Sequence, residues 1–466
     1  MVILGVLTAL RRRIPGAALI LTQVPAFAAE EPGACERPAL TPLRYDEDWS
    51  FLRNPACRTE LWDPLKYLVL DARLPAYLTL GIDVRERFER FSVLSWGQDS
   101  DDAAGFLLQR IMPHAALHIG PDVQIFLELT SNLVWGHEPR PLDRDDLDLL
   151  QAFGAASFGP LTVRAGRQQL QYASSRLVSI REGPNVRLAF DGVRVIQRVG
   201  SWQLDGFALV PVQVRPGIFD DRPEPGQRFW GSYATGPVMG ERLGLDVYYL
   251  GWRRDVATFE QGTERELRHT FGTRVFGQPG SFDYNFELAY QAGSFGAGTI
   301  AAGLFASDVG YTFDAKARPR LGAQANLTTG DASPEDSDLQ TFNPLFPRGA
   351  YFSQANLLGP LNLVDLHPAL SFWPVEGLEV TLDWDFFWRH RREDGLYLPS
   401  SALQVPGSGN PARYVGSQGA LLVQWLASRH ASLGGSYSRF FVGPFLRFAG
   451  LDDDVDFFGA WISYAI

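Results

Sequence analysis

From Leu378 to Arg391 apolar and polar residues alternate along the chain. Leu378, Val380, Leu382, Trp384, Phe386 and Trp388 fall on one face of an extended segment, and Glu379, Thr381, Asp383, Asp385, Arg389 and Arg391 on the other. This is a strand of period two. Its apolar face is too aromatic for a small core, and its other face is too charged to be buried dry. A membrane barrel accommodates both, because it turns the greasy face to lipid and the charged face to a water-filled lumen.

The pattern recurs along the chain. Strands are expected at 76–91, 105–119, 122–136, 147–158, 160–169, 190–199, 201–212, 228–237, 242–254, 267–277, 281–295, 298–313, 317–330, 362–374, 377–391, 414–427, 430–446 and 454–466, bounded by Gly, Pro, Asp and Asn. That predicts an all-β fold, a transmembrane antiparallel barrel of 18 strands occupying 76–466. Connectors alternate between tight ones (Gly120-Pro121, Gly159-Pro160, Val199-Gly200, Glu376-Gly377) and long ones at 92–104, 137–146, 213–227, 255–266, 331–361 and 393–413. The long ones are expected as outer loops, some of them folding into the lumen. The last strand places Phe458, Ile462, Tyr464 and Ile466 on one face, like a terminal insertion signal, although the usual final residue is aromatic.

Upstream, Arg11 to Arg13, the apolar run Ile14 to Val24 and Ala26-Phe27-Ala28 have the layout of a secretory signal over 1–28, cleaved after Ala28. No later window reaches the roughly 18 consecutive apolar residues that a spanning helix needs. Residues 29–75 then form a periplasmic extension, in which Glu47 and Asp48 point to a plug, a partner-docking segment or a disordered tail. Secretion makes Cys35 and Cys57, both in this extension, candidates for a disulfide. A formal charge of −11 argues against a nucleic-acid partner but leaves the charge of a lumen open.

Taking the apolar parity of each strand as outward assigns the inward residues. They include Asp83, Arg85, Arg87 and Glu89; Arg110, His114 and His118; Arg194 and Arg198; Asp283, Asn285 and Glu287; Arg318, Arg320, Gln324 and Asn326; and Asp383, Asp385, Arg389 and Arg391. Inward arginines have two readings. They can knit a salt-bridge lattice that stiffens the wall, or stand unpaired as a positive constriction for an anionic solute, a role guanidinium suits because it stays charged and binds carboxylates bidentately. Enzyme chemistry is not expected. The seven histidines are scattered, and no Gly-x-Ser-x-Gly elbow or His-Glu-x-x-His pair occurs. His114 and His118 are about 13 Å apart along a strand, too far for one metal. Asp452-Asp453-Asp454 reads as a solvated turn, and no metal or cofactor is expected.

The densest motif run is Gly166-Arg167-Gln168-Gln169-Leu170, Ser174-Ser175-Arg176-Leu177-Val178-Ser179, Arg181-Glu182-Gly183-Pro184-Asn185-Val186-Arg187 and Phe190-Asp191-Gly192-Val193-Arg194. So many charged and amide groups beside two strands need a wet lumen to receive them. With Arg44-Tyr45-Asp46-Glu47-Asp48-Trp49, Trp62-Asp63-Pro64-Leu65-Lys66-Tyr67, Phe229-Trp230-Gly231-Ser232-Tyr233-Ala234, Thr329-Gly330-Asp331 and Phe342-Asn343-Pro344-Leu345-Phe346-Pro347-Arg348-Gly349-Ala350-Tyr351, the chain resembles the outer-membrane alginate export family from about Arg44 to its end. The resemblance implies a monomeric barrel in the outer membrane of a Gram-negative bacterium, with an arginine-rich pore selective for an anionic uronate polysaccharide. It implicates Arg85, Arg110, Arg164, Arg167, Arg194, Arg320 and Arg389 as pore-lining residues, with the parity of Arg167 disturbed by Gly166 and Gln168. One departure is Gly416-Ser417-Gln418-Gly419, where the family tends to carry an acidic residue. Three functions stand side by side: an alginate-type conduit working with periplasmic secretion components, a porin for small anions, and a structural or adhesive barrel with a blocked lumen.

Overall fold

The computed structural model describes residues 35–71, 75–97, 105–140 and 142–466, and the leader expected over 1–28 lies outside them. The barrel strands are β1 (Ala76–Phe91), β2 (Phe106–Ile119), β3 (Val123–Trp135), β4 (Asp145–Phe158), β5 (Leu161–Gln168), β6 (Phe190–Val199), β7 (Trp202–Gln213), β8 (Gln227–Pro237) and β9 (Gly244–Phe259). They continue as β10 (Gly262–Gly277), β11 (Phe282–Phe295), β12 (Gly298–Thr312), β13 (Arg320–Thr328), β14 (Leu363–Phe372), β15 (Leu378–Arg389), β16 (Tyr414–Leu426), β17 (Ala431–Val442) and β18 (Val455–Ala465). Each pairs antiparallel with the next, and β18 returns to β1 with Asp83 opposite Ala465 and Phe91 opposite Phe457, closing an 18-stranded barrel. Closure leaves no open edge, the condition for a sheet to stand in hydrocarbon.

At one end the strands are joined by short turns. Gly159-Pro160 and Gly200-Ser201 are two-residue hairpins in which the glycine takes a φ of 63° and 59°, the left-handed conformation such turns require. On the outer face Phe282, Tyr284 and Phe286 stack down β11 with rings 6.2 and 6.0 Å apart. Phe386 and Trp388 do the same on β15. Leu288, Tyr290, Trp384 and Ile462 are about half exposed, part of an apolar band that runs round the barrel and that a soluble monomer does not carry.

One expected loop is not a loop. Residues 255–266 continue β9 and β10 as a hairpin, with Phe259 opposite Gly262. Ala257 and Phe259 are buried, and Phe259 packs edge-on against Phe295 at 5.6 Å and Tyr397 at 6.1 Å, so distant chain segments stabilise a stretch whose own apolar signal is weak. Arg318, expected to point inward from a strand, sits instead in the turn before β13 with a φ of 45°, its guanidinium 6.0 Å from the Trp373 ring.

The lumen is not an open cylinder. At the tight-turn end, Tyr45 enters the barrel and packs edge-on against Phe126 and Phe153 at 5.7 and 5.2 Å, while Arg44 donates to the Ile466 carbonyl at 2.6 Å. Cys35 and Cys57 are joined by a disulfide in this plug. From the other end, segments 169–189 and 329–362 fold inward and bind each other, with Phe346 N–H donating to Leu177 O and Arg348 N–H to Ser175 O, both at 2.9 Å. Phe346 fills a pocket of inward aromatics, its ring 5.0 Å from Phe190, 4.9 Å from Phe229 and 4.8 Å from Trp252. Phe190, Phe229, Tyr233, Tyr248 and Trp252 thus break the polar-inside rule, because the inserts bring an apolar surface to meet them.

Candidate functional site

Arg85 on β1 and Arg110 on β2 stand directly opposite each other in the ladder, both buried and both facing the lumen. Like charges in that register repel, so something must compensate. The compensation comes from the 169–189 insert. Glu182 places its carboxylate against Arg110 Nη2 and Arg187 Nη2, with Arg85 Nη1 3.8 Å away. The carbonyls of Glu182 and Pro184 accept from Arg85 at 2.9 and 3.2 Å. Burial would raise the Glu182 pKa, but Arg110, Arg187 and Arg85 outweigh it and hold the group at about 2, so it is ionised throughout the neutral range. Three guanidinium groups share one carboxylate.

The insert is locked in position by Asn185. Its fully buried side chain places Nδ2 3.0, 3.2 and 2.9 Å from the carbonyls of Gln109, Leu133 and Asp143. Beside Glu182, Arg181 takes a φ of 55°, and among the described residues no carboxylate pairs with its guanidinium. Burial lowers its pKa to about 10, which leaves it charged at neutral pH. Arg140, Arg144, Arg181 and Arg187 line a cavity of about 380 Å³, with Leu142, Val186, Leu188, Val212 and Val214 as apolar walls. Arg144 is chelated by Asp146 at 2.7 and 3.0 Å and Arg187 by Glu182, yet among the described residues no acidic side chain lines the cavity itself, which suits a small anionic group.

The other arginines singled out from the sequence are placed differently. Arg164 lies over the rings of Tyr45 and Phe153 at 4.0 and 4.4 Å, where it holds the plug. Arg167 chelates Asp191 at 2.9 and 3.1 Å. Arg194 pairs with Asp205, which also accepts from Tyr172 OH at 2.9 Å. Arg320 is shared between Asp283 (2.9 Å) and Asp308 (3.1 Å). Arg389 is enclosed by carbonyls of the 390–413 loop, those of Arg392, Asn410 and Ala412 lying 2.7, 2.6 and 2.6 Å away, and it lies over the Phe445 ring at 4.0 Å. Asp385 meets His367 Nδ1, while His367 Nε2 is 2.6 Å from Asp365, and Asp383 lies close beside the same pair. The structure therefore brings Arg85 and Arg110 together, likewise sets Arg164 opposite Arg194 in the β5–β6 ladder, and distributes Arg167, Arg320 and Arg389 among separate clusters.

Arg181 and Arg187 were not reached by strand parity, because they lie on an irregular insert that has no period. The density of charge in the run Arg181 to Arg187 was the one sequence signal for them.

The family model described as alginate export matches residues 76–458. Among solved structures, Acinetobacter baumannii OccAB1 superposes with a TM-score of 0.58 at 12% identity, covering 88% of this chain and 99% of that one. Pseudomonas aeruginosa OccK11 (OpdR) gives 0.56 at 12% identity over 84% and 96%. Pseudomonas aeruginosa OpdK with vanillate gives 0.56 at 11% identity over 84% and 98%. At such identities the likeness is one of fold. No curated protein matches the sequence.

Proposed function

Since the chain belongs to the alginate export family and is an outer-membrane β-barrel channel, we propose that it conducts an anionic polysaccharide, alginate or a similar uronate polymer, past Arg85, Arg110, Arg181 and Arg187. The observation that carries this reading is the stoichiometry at Glu182, where Arg85, Arg110 and Arg187 face one carboxylate and Arg181 has none. A lattice built only for rigidity would balance its charges. Here the cations outnumber the acids within contact distance, with Asp83 and Glu128 the next acids out, and each uronate residue of a polymer presents the same carboxylate chemistry as Glu182. Transport in this reading is passive and follows the polymer's gradient.

A second reading is a porin for small anionic solutes. It is favoured by the inserts 169–189 and 329–362, which narrow the lumen, and by the fold shared with OpdK, a protein solved with vanillate, itself a small carboxylate. Single-channel recording of the refolded mature chain, with and without oligo-uronate, separates the two. Anion selectivity with block by the oligomer supports the polyanion conduit, anion selectivity without block supports the small-anion porin, and absence of conductance removes both.

A further inference from the structure

Beside the plug, on the lumen side of β1, β2 and β3, three side chains of metal-ligand type converge. Asp83, His114 and Glu128 each bring one donor atom within 4.8 Å of the other two. The sheet register builds this group. His114 on β2 stands directly opposite Glu128 on β3, and on its other side it stands opposite Gly81 of β1, which puts Asp83 on the same inward face two residues along. Gly81 makes room for the imidazole, since a Cβ at that position would come within 2.3 Å of His114 Nε2.

A second observation is independent of that spacing. Asp83 Oδ2, His114 Nδ1 and Glu128 Oε1 are all buried, and none has a hydrogen-bond partner among the described residues. Glu128 is fully buried and His114 is 5% exposed. The other carboxylate oxygen of Glu128 accepts from Gln151 Nε2 at 2.6 Å, and Gln151 Oε1 in turn accepts from the Gln169 N–H at 2.9 Å. That chain of bonds sets the orientation of the carboxylate and leaves Oε1 over. His114 Nδ1 lies 4.0 Å from Asp83 Oδ2, too far for a hydrogen bond. Arg44 Nε stands 3.6 Å from Asp83 Oδ2, but the rest of that guanidinium is engaged by Glu47 at 3.1 Å and by the Ile466 carbonyl at 2.6 Å. Among the described residues no cation pairs with Glu128.

An imidazole nitrogen and two carboxylates that converge in a buried place with their lone pairs unspent form a costly arrangement that a metal ion resolves. Mixed nitrogen and oxygen donors select a transition ion over calcium or magnesium, which take oxygen alone. We propose that Asp83, His114 and Glu128 form a zinc-type site on the lumen wall, with three protein ligands and a fourth position for water. Donors about 2.1 Å from one zinc stand roughly 3.4 Å apart in a tetrahedron, so side-chain movements of about 1 Å complete the site without moving the strands. Gln151 is the group that orients the Glu128 ligand. The ion clamps the first three strands together beside Arg44 and Tyr45 of the plug.

The test is calorimetric titration of zinc chloride into the refolded, EDTA-treated full chain, with His114→Ala, Asp83→Asn and the control His118→Ala run alongside. One saturable zinc per chain is expected. His114→Ala and Asp83→Asn should each weaken it by at least about tenfold, the scale already set by loss of an outer-shell partner, while His118→Ala leaves it unchanged. Heat-modifiable migration on gels verifies that each variant is folded. Zinc-edge X-ray absorption of the unaltered chain decides the matter without any variant, and should show one imidazole with oxygen donors. Absence of saturable uptake by the folded chain, uptake unchanged in folded His114→Ala or Asp83→Asn, or a spectrum with no imidazole or with several, overturns the proposal.

Discussion

The two sides of the lumen wall use the same residue type to opposite ends. Around β9 to β13 the arginines are neutralised in place. Arg274 pairs with Asp246 at 2.8 Å with both side chains about 1% exposed, and Arg320 sits between two aspartates. Where two arginines share one acid there, Arg254 and Arg268 on Glu266, the acid is fully buried and Arg268 is sealed from any solute. Around β1 and β2, Arg85 and Arg110 meet a single carboxylate carried on an insert and one-third exposed, with Arg187 and Arg181 added from the same insert. The contrast teaches that inward parity alone does not make an arginine functional. The ratio of cations to acids, and the exposure of the shared carboxylate, decide it.

The largest effect is expected where pairing is complete. Arg274→Gln strands Asp246 in the wall and should lower barrel stability by about 3–5 kcal/mol, read from urea unfolding, while leaving ion selectivity unchanged. The reverse is expected on the other side. Arg110→Gln and Arg187→Gln should each lower the anion-to-cation permeability ratio by up to about fivefold, the worth of roughly 1 kcal/mol for one charge at contact distance in water, with little change in unfolding. Reversal potentials measure this. Loss of stability without loss of selectivity in Arg110→Gln would erase the distinction between the two sides.

A smaller, pH-dependent effect sharpens the comparison. The folded-state pKa of Glu182 is depressed to about 2, so the insert's clasp is fully present above the ordinary carboxylate range near 4.5 and is lost as pH falls towards 2. The step is muted because the side chain is partly exposed and solvent-screened. Open-channel noise should be flat from pH 8 to about 5 and rise below about 4, and Glu182→Gln should show the acid behaviour at neutral pH. The smallest effect is a control on the exposed side of β9, below the hairpin turn. Arg253 and Asp255 form an exposed pair, and Arg253→Ala should move stability by no more than about 0.5 kcal/mol.

Much of the fold was legible in the sequence because a barrel strand reports its two solvents residue by residue. The β11 face that reads Phe282, Tyr284, Phe286, Leu288, Tyr290 is the face turned outward, and Asp283, Asn285 and Glu287 point in. The reading failed where tertiary partners replaced a solvent. Phe387 shares the polar face of β15 yet is buried, because Phe352 from an insert covers it at 5.1 Å. Residues 255–266 read as a loop because Val256, Ala257 and Phe259 are their only apolar residues and the rest of the stretch is polar or charged. For the candidate site, Arg85 and Arg110 were found by parity, whereas Arg181, Arg187 and the role of Glu182 depend on how an aperiodic segment folds back.

The sequence by itself determined the number of strands and, along most of them, which residues alternate in and out, since period-two alternation is a local consequence of backbone geometry and of the two media on either side. Only the tertiary structure decided which of the inward charges are cancelled. Electrostatic pairing acts between groups far apart in the chain, Glu182 reaching back to Arg85 and Arg110 while Asp283 and Asp308 take up Arg320, and no local pattern encodes such distances.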